Sequence, residues 1–257
     1  MRYQALLLLS LNALPCIVGS TYAATASQPP NAERTYPDWS GVWENAEGFR
    51  YTVPGGKPNP PILTPEYAAR YQEVTDAAAA GRPVSDPTAN CVWPGMPRVL
   101  VTPYPLEYLV QAGRVTVIHE YQSQVRRIWT DGRGHPEDLE ASFNGHSIGH
   151  WEGDTLVVET VGLREDTKID RSGLAHSGQL KVLERIRLVG PDTLENQITM
   201  IDPLAYTQPW VSTLRLKRQR EWQILEYVCA ENNRNPVSPS GKTLTLDAEG
   251  KPLDKEQ

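Results

Sequence analysis

The spacing of apolar residues changes once along this chain, near Cys91. Upstream, Thr64 is placed to cap a helix, Pro65 suits its first turn and Glu66 its positive end. Tyr67, Tyr71 and Val74 follow at helical spacing, and Gly81 ends the run. This predicts one helix over 65–80. Downstream the period is two. Leu106-Tyr108-Val110 alternate, Ala112-Gly113 turn the chain, and Val115-Val117-His119-Tyr121 alternate back. Further strands are expected over 125–130, 146–151, 155–161, 182–189, 194–201, 211–216 and 222–228. Glu152-Gly153-Asp154 and Gly190-Pro191-Asp192-Thr193 supply the turns of two hairpins. Roughly nine short strands without strand–helix alternation predict a mainly β fold, an antiparallel barrel with a β-sandwich as the alternative.

Composition sharpens the barrel reading. The chain holds 7 Trp and 11 Tyr against only 2 Phe. Trp and Tyr carry a polar handle that suits a half-wet lining, so an aromatic-lined interior open at one end is expected. Near the start, Gly41-Val42-Trp43 matches the Gly-x-Trp signature of lipocalin-like barrels, in which the Trp plugs the closed end. The predicted organisation is a signal peptide over 1–26, one β-barrel domain over 27–234 and a polar tail over 235–257.

Met1-Arg2, the apolar run Ala5–Leu14 and the small residues around Ala23 and Ala26 form the signal pattern, too short to span a bilayer. A periplasmic or secreted protein without a membrane span is expected, cleaved near Ala23 or Ala26. Cys91 and Cys229 remain after cleavage, and an even pair in an exported protein reads as a disulfide. Net charge is −6 with no basic block, which disfavours nucleic acid. No phosphate loop or dinucleotide fingerprint suggests a large cofactor.

The candidate chemistry centres on histidine. All 5 lie between positions 119 and 176. His146 and His150 share one strand face; if Gly153-Asp154 form a two-residue turn, Ile148 opposes Glu159 and that carboxylate joins them. A longer turn sends Glu159 to the other face. Asp166–Ser177 is a polar loop in which Asp170 can orient His176 and Arg171 can receive an anion. The catalytic set expected is therefore His146, His150, Asp170, Arg171 and His176. Asn144, Trp151, Tyr121, Glu159 and Tyr206 are expected to contact substrate. Any metal would take His146 and His150 with either His176 or Glu159. Glu184 is placed inside the barrel or in an external ladder with Arg185 and Arg187. Gly145-His146-Ser147-Ile148-Gly149 matches the Gly-x-Ser-x-Gly elbow in letters, but a hairpin follows where the elbow needs a helix.

The segments Val125–Arg133 (VRRIWTDGR) and Asn144–Thr160 (NGHSIGHWEGDTLVVET) carry a resemblance, as do Gly95–Arg98, Ala205–Trp210 and Tyr227–Asn233. Over about Trp39 to Asn233 the chain resembles a family of exported bacterial proteins of unassigned function. The resemblance implies export and transfers no residue roles. Two functional classes follow from the residues. One is a cofactor-independent lyase, isomerase or hydratase using His/Asp acid–base chemistry on a small apolar or aromatic molecule. The other is a binding protein without turnover; a His-ligated metalloprotein is a third reading.

Overall fold

The structure is a computed structural model that describes residues 36–46, 51–53, 57–81 and 86–232. The expected signal peptide and polar tail lie outside the described residues. The elements are β1 (Val42–Asn45), β2 (Thr52–Val53), β3 (Lys57–Pro58), α1 (Pro65–Ala79), β4 (Leu106–Gln111), β5 (Arg114–His119) and β6 (Gln124–Trp129). They continue with β7 (His146–Glu152), β8 (Thr155–Val161), β9 (Lys181–Gly190), β10 (Thr193–Ile201), β11 (Trp210–Gln219) and a one-turn helix α2 (Cys229–Asn232).

Nine strands close a barrel in the order β1-β4-β5-β6-β7-β8-β9-β10-β11, with β11 returning to β1, while β2 pairs with β11 at Thr213 and β3 pairs with β2. The fold is mainly β and lipocalin-like, with one long helix, as the residue pattern indicates. Two details differ. The ninth strand is β1, which pairs Val42 with Gln219 and Trp43 with Arg218; the segment 222–228 forms no strand. Its Trp222, Leu225 and Val228 are exposed, while Tyr227 turns to Tyr104 and Tyr121. The second detail is the parallel junction of β6 and β7, where Ile128 faces Ser147. Strand direction must return to its start around a closed ring, so an odd strand number forces a parallel neighbour. The chain over 130–145 therefore runs back along the barrel's outer wall to begin β7.

The hairpin β7–β8 turns on Gly153-Asp154, with His150 opposite Val157 and Ile148 opposite Glu159. Ser147, Val158 and Thr160 consequently point inward and are buried, whereas His146, His150 and Glu159 point outward. At one end, Trp39, Trp43, Tyr108, Val117, Leu156 and Leu216 pack into an apolar plug. Trp43 is fully buried, donates its indole N–H to the Trp39 carbonyl at 3.0 Å, and carries the Arg218 guanidinium 4.6 Å above its ring.

At the other end the strand connections fold over the barrel. The segment containing Trp93, Met96, Val99 and Leu100 caps it, and Tyr121, Tyr104 and Tyr227 stack beside Trp93. The Cys91–Cys229 disulfide spans a sequence separation of 138 and ties this cap to the C-terminal segment. A link of that length stabilises by about 5 kcal/mol on the chain-entropy model. The interior is thus filled by side chains, which a ring only slightly larger than eight strands permits. Among the described residues the interior does not form the aromatic-lined chamber expected. Aromatic rings gather at the two ends, and the middle is polar.

Candidate functional site

That middle layer is an internally paired network. Arg126 on β6 bonds the Glu184 carboxylate on β9, and also reaches Thr160 Oγ1 at 2.9 Å and Ser147 Oγ at 3.2 Å. Asn196 on β10 donates to the other Glu184 oxygen at 2.8 Å. Arg126 is 3% and Glu184 0% exposed, so each charge depends on the other for the solvation that water would give. His119 lies beside this layer, 5.9 Å from the Trp93 ring, with Nε2 unpartnered. Burial, reinforced by the Arg126 charge, pushes its pKa down to about 3, so it is neutral. Glu184 thus faces inward, while Arg185 and Arg187 form the external ladder with Glu152 and Glu195. Ser147 is spent on Arg126 and Thr160, with no access to a substrate.

Space for a ligand lies beside the barrel mouth instead. A cavity of about 770 Å³ opens between the start of β11, the strap over 59–63, α1 and the tip of the loop between β8 and β9. The strap is stiffened by Pro60-Pro61 and pinned by backbone bonds, with Thr64 N–H donating to the Ala205 carbonyl at 2.9 Å and Thr207 N–H to that of Ile62 at 2.9 Å. Trp210 forms one wall, holding its indole N–H on the Asn59 carbonyl at 2.6 Å. Tyr51 packs edge-on against Trp210 with centroids 5.2 Å apart, and its hydroxyl donates to the Pro97 carbonyl at 2.7 Å. Tyr71 supplies the helix side.

The fourth wall comes from a short ribbon. Lys168 pairs with Ala175, and Ile169 N–H donates to the Leu174 carbonyl at 2.8 Å, leaving Asp170–Gly173 as a tip. Asp170 Oδ1 accepts from Ser172 N at 2.8 Å and Ser172 Oγ at 2.6 Å, which shapes that tip. Arg171, exposed at the cavity rim, has no hydrogen-bond or ion-pair partner among the described residues. It is the free cation of the site. On the other side of Tyr71 lies a more polar cavity of about 680 Å³, bordered by Glu66, Arg70, Lys168 and His176.

The residues expected to act together are dispersed. Asp170 and Arg171 line the large cavity; His176 borders only the polar one; His146 and His150 line neither. Asp170 does not orient His176. That ring donates from Nδ1 to the Ser177 carbonyl at 2.8 Å and meets Thr167 Oγ1 through Nε2 at 2.8 Å. Burial lowers the His176 pKa, and Asp202, which accepts from both the N–H and the hydroxyl of Ser177 at 2.7 Å, fixes the turn. The metal set His146, His150 and His176 is likewise not assembled: His146 and His150 lie on the outer wall while His176 is buried within the β8–β9 loop. Among the described residues, no three His, Cys, Asp or Glu side chains group as a metal site.

His150 is two-thirds exposed and meets only Glu152, at 3.2 Å. His146 instead faces His135 from the 130–145 segment, Nδ1 to Nδ1 at 2.8 Å. Burial, with His135 and Arg133 nearby, lowers the His146 pKa. Glu159 takes Lys181 at 2.9 Å. The expected substrate contacts are also structural. Asn144 accepts the Trp93 indole N–H at 2.9 Å, Trp151 packs on Trp39 and Tyr36, and Tyr121 sits in the tyrosine stack. Tyr206 stands 5.8 Å behind Trp210, not in the cavity itself.

Sequence reasoning missed Tyr51, Asn59 and Leu63. Their only signal is the stiff Asn59-Pro60-Pro61 run just before the helix cap. Comparison of the chain with models of known protein families finds no match, and comparison with curated protein sequences finds none.

Proposed function

We propose that this is a binding protein, without turnover, for a small and largely apolar organic molecule carrying an anionic group. The observation that carries the reading is the 770 Å³ cavity, walled by Trp210, Tyr51 and Tyr71 and rimmed by the unpaired Arg171. Its size and its mix of rings with few polar groups match small-molecule sites in general. Rings held by hydrogen bonds to the backbone, as Trp210 and Tyr51 are, lose little freedom on binding, which favours affinity. The acid–base reading loses its support because its histidines do not reach this space. The Cys91–Cys229 disulfide accords with work in an oxidising compartment.

The test is a fluorescence titration of the full chain with 1-anilinonaphthalene-8-sulfonate, an anionic aromatic probe. One saturable site is expected, weakened about tenfold, or 1.4 kcal/mol, by Tyr71→Ala. Arg171→Ala is expected to weaken it severalfold and to remove most of its salt dependence. Unaltered probe affinity in both variants, with their folds intact, would contradict the assignment.

A further inference from the structure

We propose that His135 and His146 form a two-imidazole clip for a late first-row divalent cation, Cu(II) above all, on the outer wall of the barrel. The placement follows from topology. The parallel β6–β7 junction lays the 130–145 segment across the outside of β7, and the inward turn of Ser147 sends His146 outward to meet it. Gly145 fixes the entry to that strand. It sits at φ +61°, and a Cβ there would stand 2.4 Å from the Val161 carbonyl oxygen.

The geometry of the pair suits an ion. The two Nδ1 atoms stand 2.8 Å apart, with the rings inclined at 72°. Two imidazoles facing through Nδ1 share one proton there; a cation that takes both nitrogens displaces it, and the ring that carried it shifts to its Nε2–H tautomer. Two metal–nitrogen bonds of about 2.0 Å at a right angle separate their nitrogens by about 2.8 Å, the cis spacing of a tetragonal Cu(II) or Ni(II) centre. A tetrahedral Zn(II) at the same bond length needs about 3.3 Å, so the pair must open to take it.

The surroundings support the same role. Ligating histidines characteristically present their second ring nitrogen to a carboxylate. His135 Nε2 is 3.3 Å from Glu159 Oε1, an oblique approach, and has no hydrogen-bond partner of its own. Glu159 is held from its other oxygen by Lys181 at 2.9 Å. The nearby Arg133 is neutralised by Asp131 at 2.6 Å. Because only two protein ligands are present, water fills the other positions, and exposure of 18% at His135 and 34% at Glu159 leaves a path for it. His150, on the same outer face but paired only with Glu152, is not part of the clip.

The experiment titrates the full chain, free of any histidine tag, with Cu(II) and separately with Zn(II). Calorimetry gives stoichiometry, and electron paramagnetic resonance counts the coordinated nitrogens. One equivalent of Cu(II) with a two-nitrogen signature is expected, tighter than Zn(II). His135→Ala and His146→Gln should each weaken it at least tenfold, Glu159→Gln about tenfold, and His150→Ala not at all. His135→Ala lies in a surface segment and keeps the test valid should the strand variant fold poorly. Stoichiometric Cu(II) binding that survives His135→Ala, or its absence from the wild-type chain, would overturn the clip.

Discussion

The inside of the barrel and the hollow beside its mouth are both built on buried aromatic and polar residues, yet they treat polar groups in opposite ways. Inside, Arg126, Glu184, Thr160, Ser147 and Asn196 turn to one another, leaving little for a guest to bind. In the hollow, the rings of Trp210 and Tyr51 are fixed by their own hydrogen bonds to backbone carbonyls, and Arg171 is left without a partner. Closure of a sheet therefore does not by itself make a ligand chamber. The barrel is the scaffold, and its connecting segments make the site, where loops on rigid elements commonly carry function.

The strongest way to break this contrast is to remove one partner of the internal network. Arg126→Met strands the Glu184 carboxylate in the core and should lower unfolding free energy by about 3–5 kcal/mol in urea titrations. The double replacement Arg126→Met with Glu184→Leu should recover much of that loss, because the penalty arises from an uncompensated charge. A single substitution without effect on the urea midpoint would mean that the layer is wetter than its burial implies.

Acid probes the same layer by protonation. His119 has a folded pKa near 3 and an unfolded one near 6.5, so between these values the unfolded chain binds the extra proton. The His119 contribution to stability is then flat above about pH 6.5 and falls by about 1.4 kcal/mol per unit as the pH drops below it. His176, whose pKa is also lowered by burial, adds a loss of the same sign. Urea midpoints measured from pH 7 to 4 should show this slope, and His119→Leu should flatten part of it.

Much of the architecture was legible because it rests on local rules. The period-two runs from Leu106 to Leu216 became β4 to β11, and Gly153-Asp154 set the register that brings Glu159 to the outer face with His146. The helix from Pro65 followed its first-turn proline, but the Thr64 hydroxyl expected to cap it donates instead to the Leu204 carbonyl at 2.7 Å. What the sequence hid depends on tertiary closure. Nothing local tells β1 from the 222–228 segment as the strand that meets β11. Nor does spacing show that the 130–145 segment doubles back, so His146 finds His135 and not His150. Asp170 and Arg171 were legible as a polar loop tip, but their wall-mates Tyr51 and Leu63 come from an irregular strap without period.

The smaller effects sharpen the contrast from the other side. Arg171→Ala should leave the urea midpoint nearly unchanged while weakening an anionic aromatic probe severalfold, since an exposed unpaired cation contributes little to folding. His150→Ala, at the exposed end of the outer histidine face, should shift stability by no more than about 0.5 kcal/mol and leave probe binding intact. Loss of probe binding in the His150 variant would return the outer histidine face to the ligand site.

The central claim is that the ligand lies beside the barrel and not in it. Photolabelling of the full chain with an aryl-azide carboxylate, followed by peptide mass spectrometry, tests this most directly. Label on peptides carrying Asn59–Leu63, Tyr71 and Asp170–Leu174, competed by 1-anilinonaphthalene-8-sulfonate, is the expected result. Competable label confined to the inward residues of β4, β5 and β8, such as Tyr108, Val117 and Val158, would contradict it.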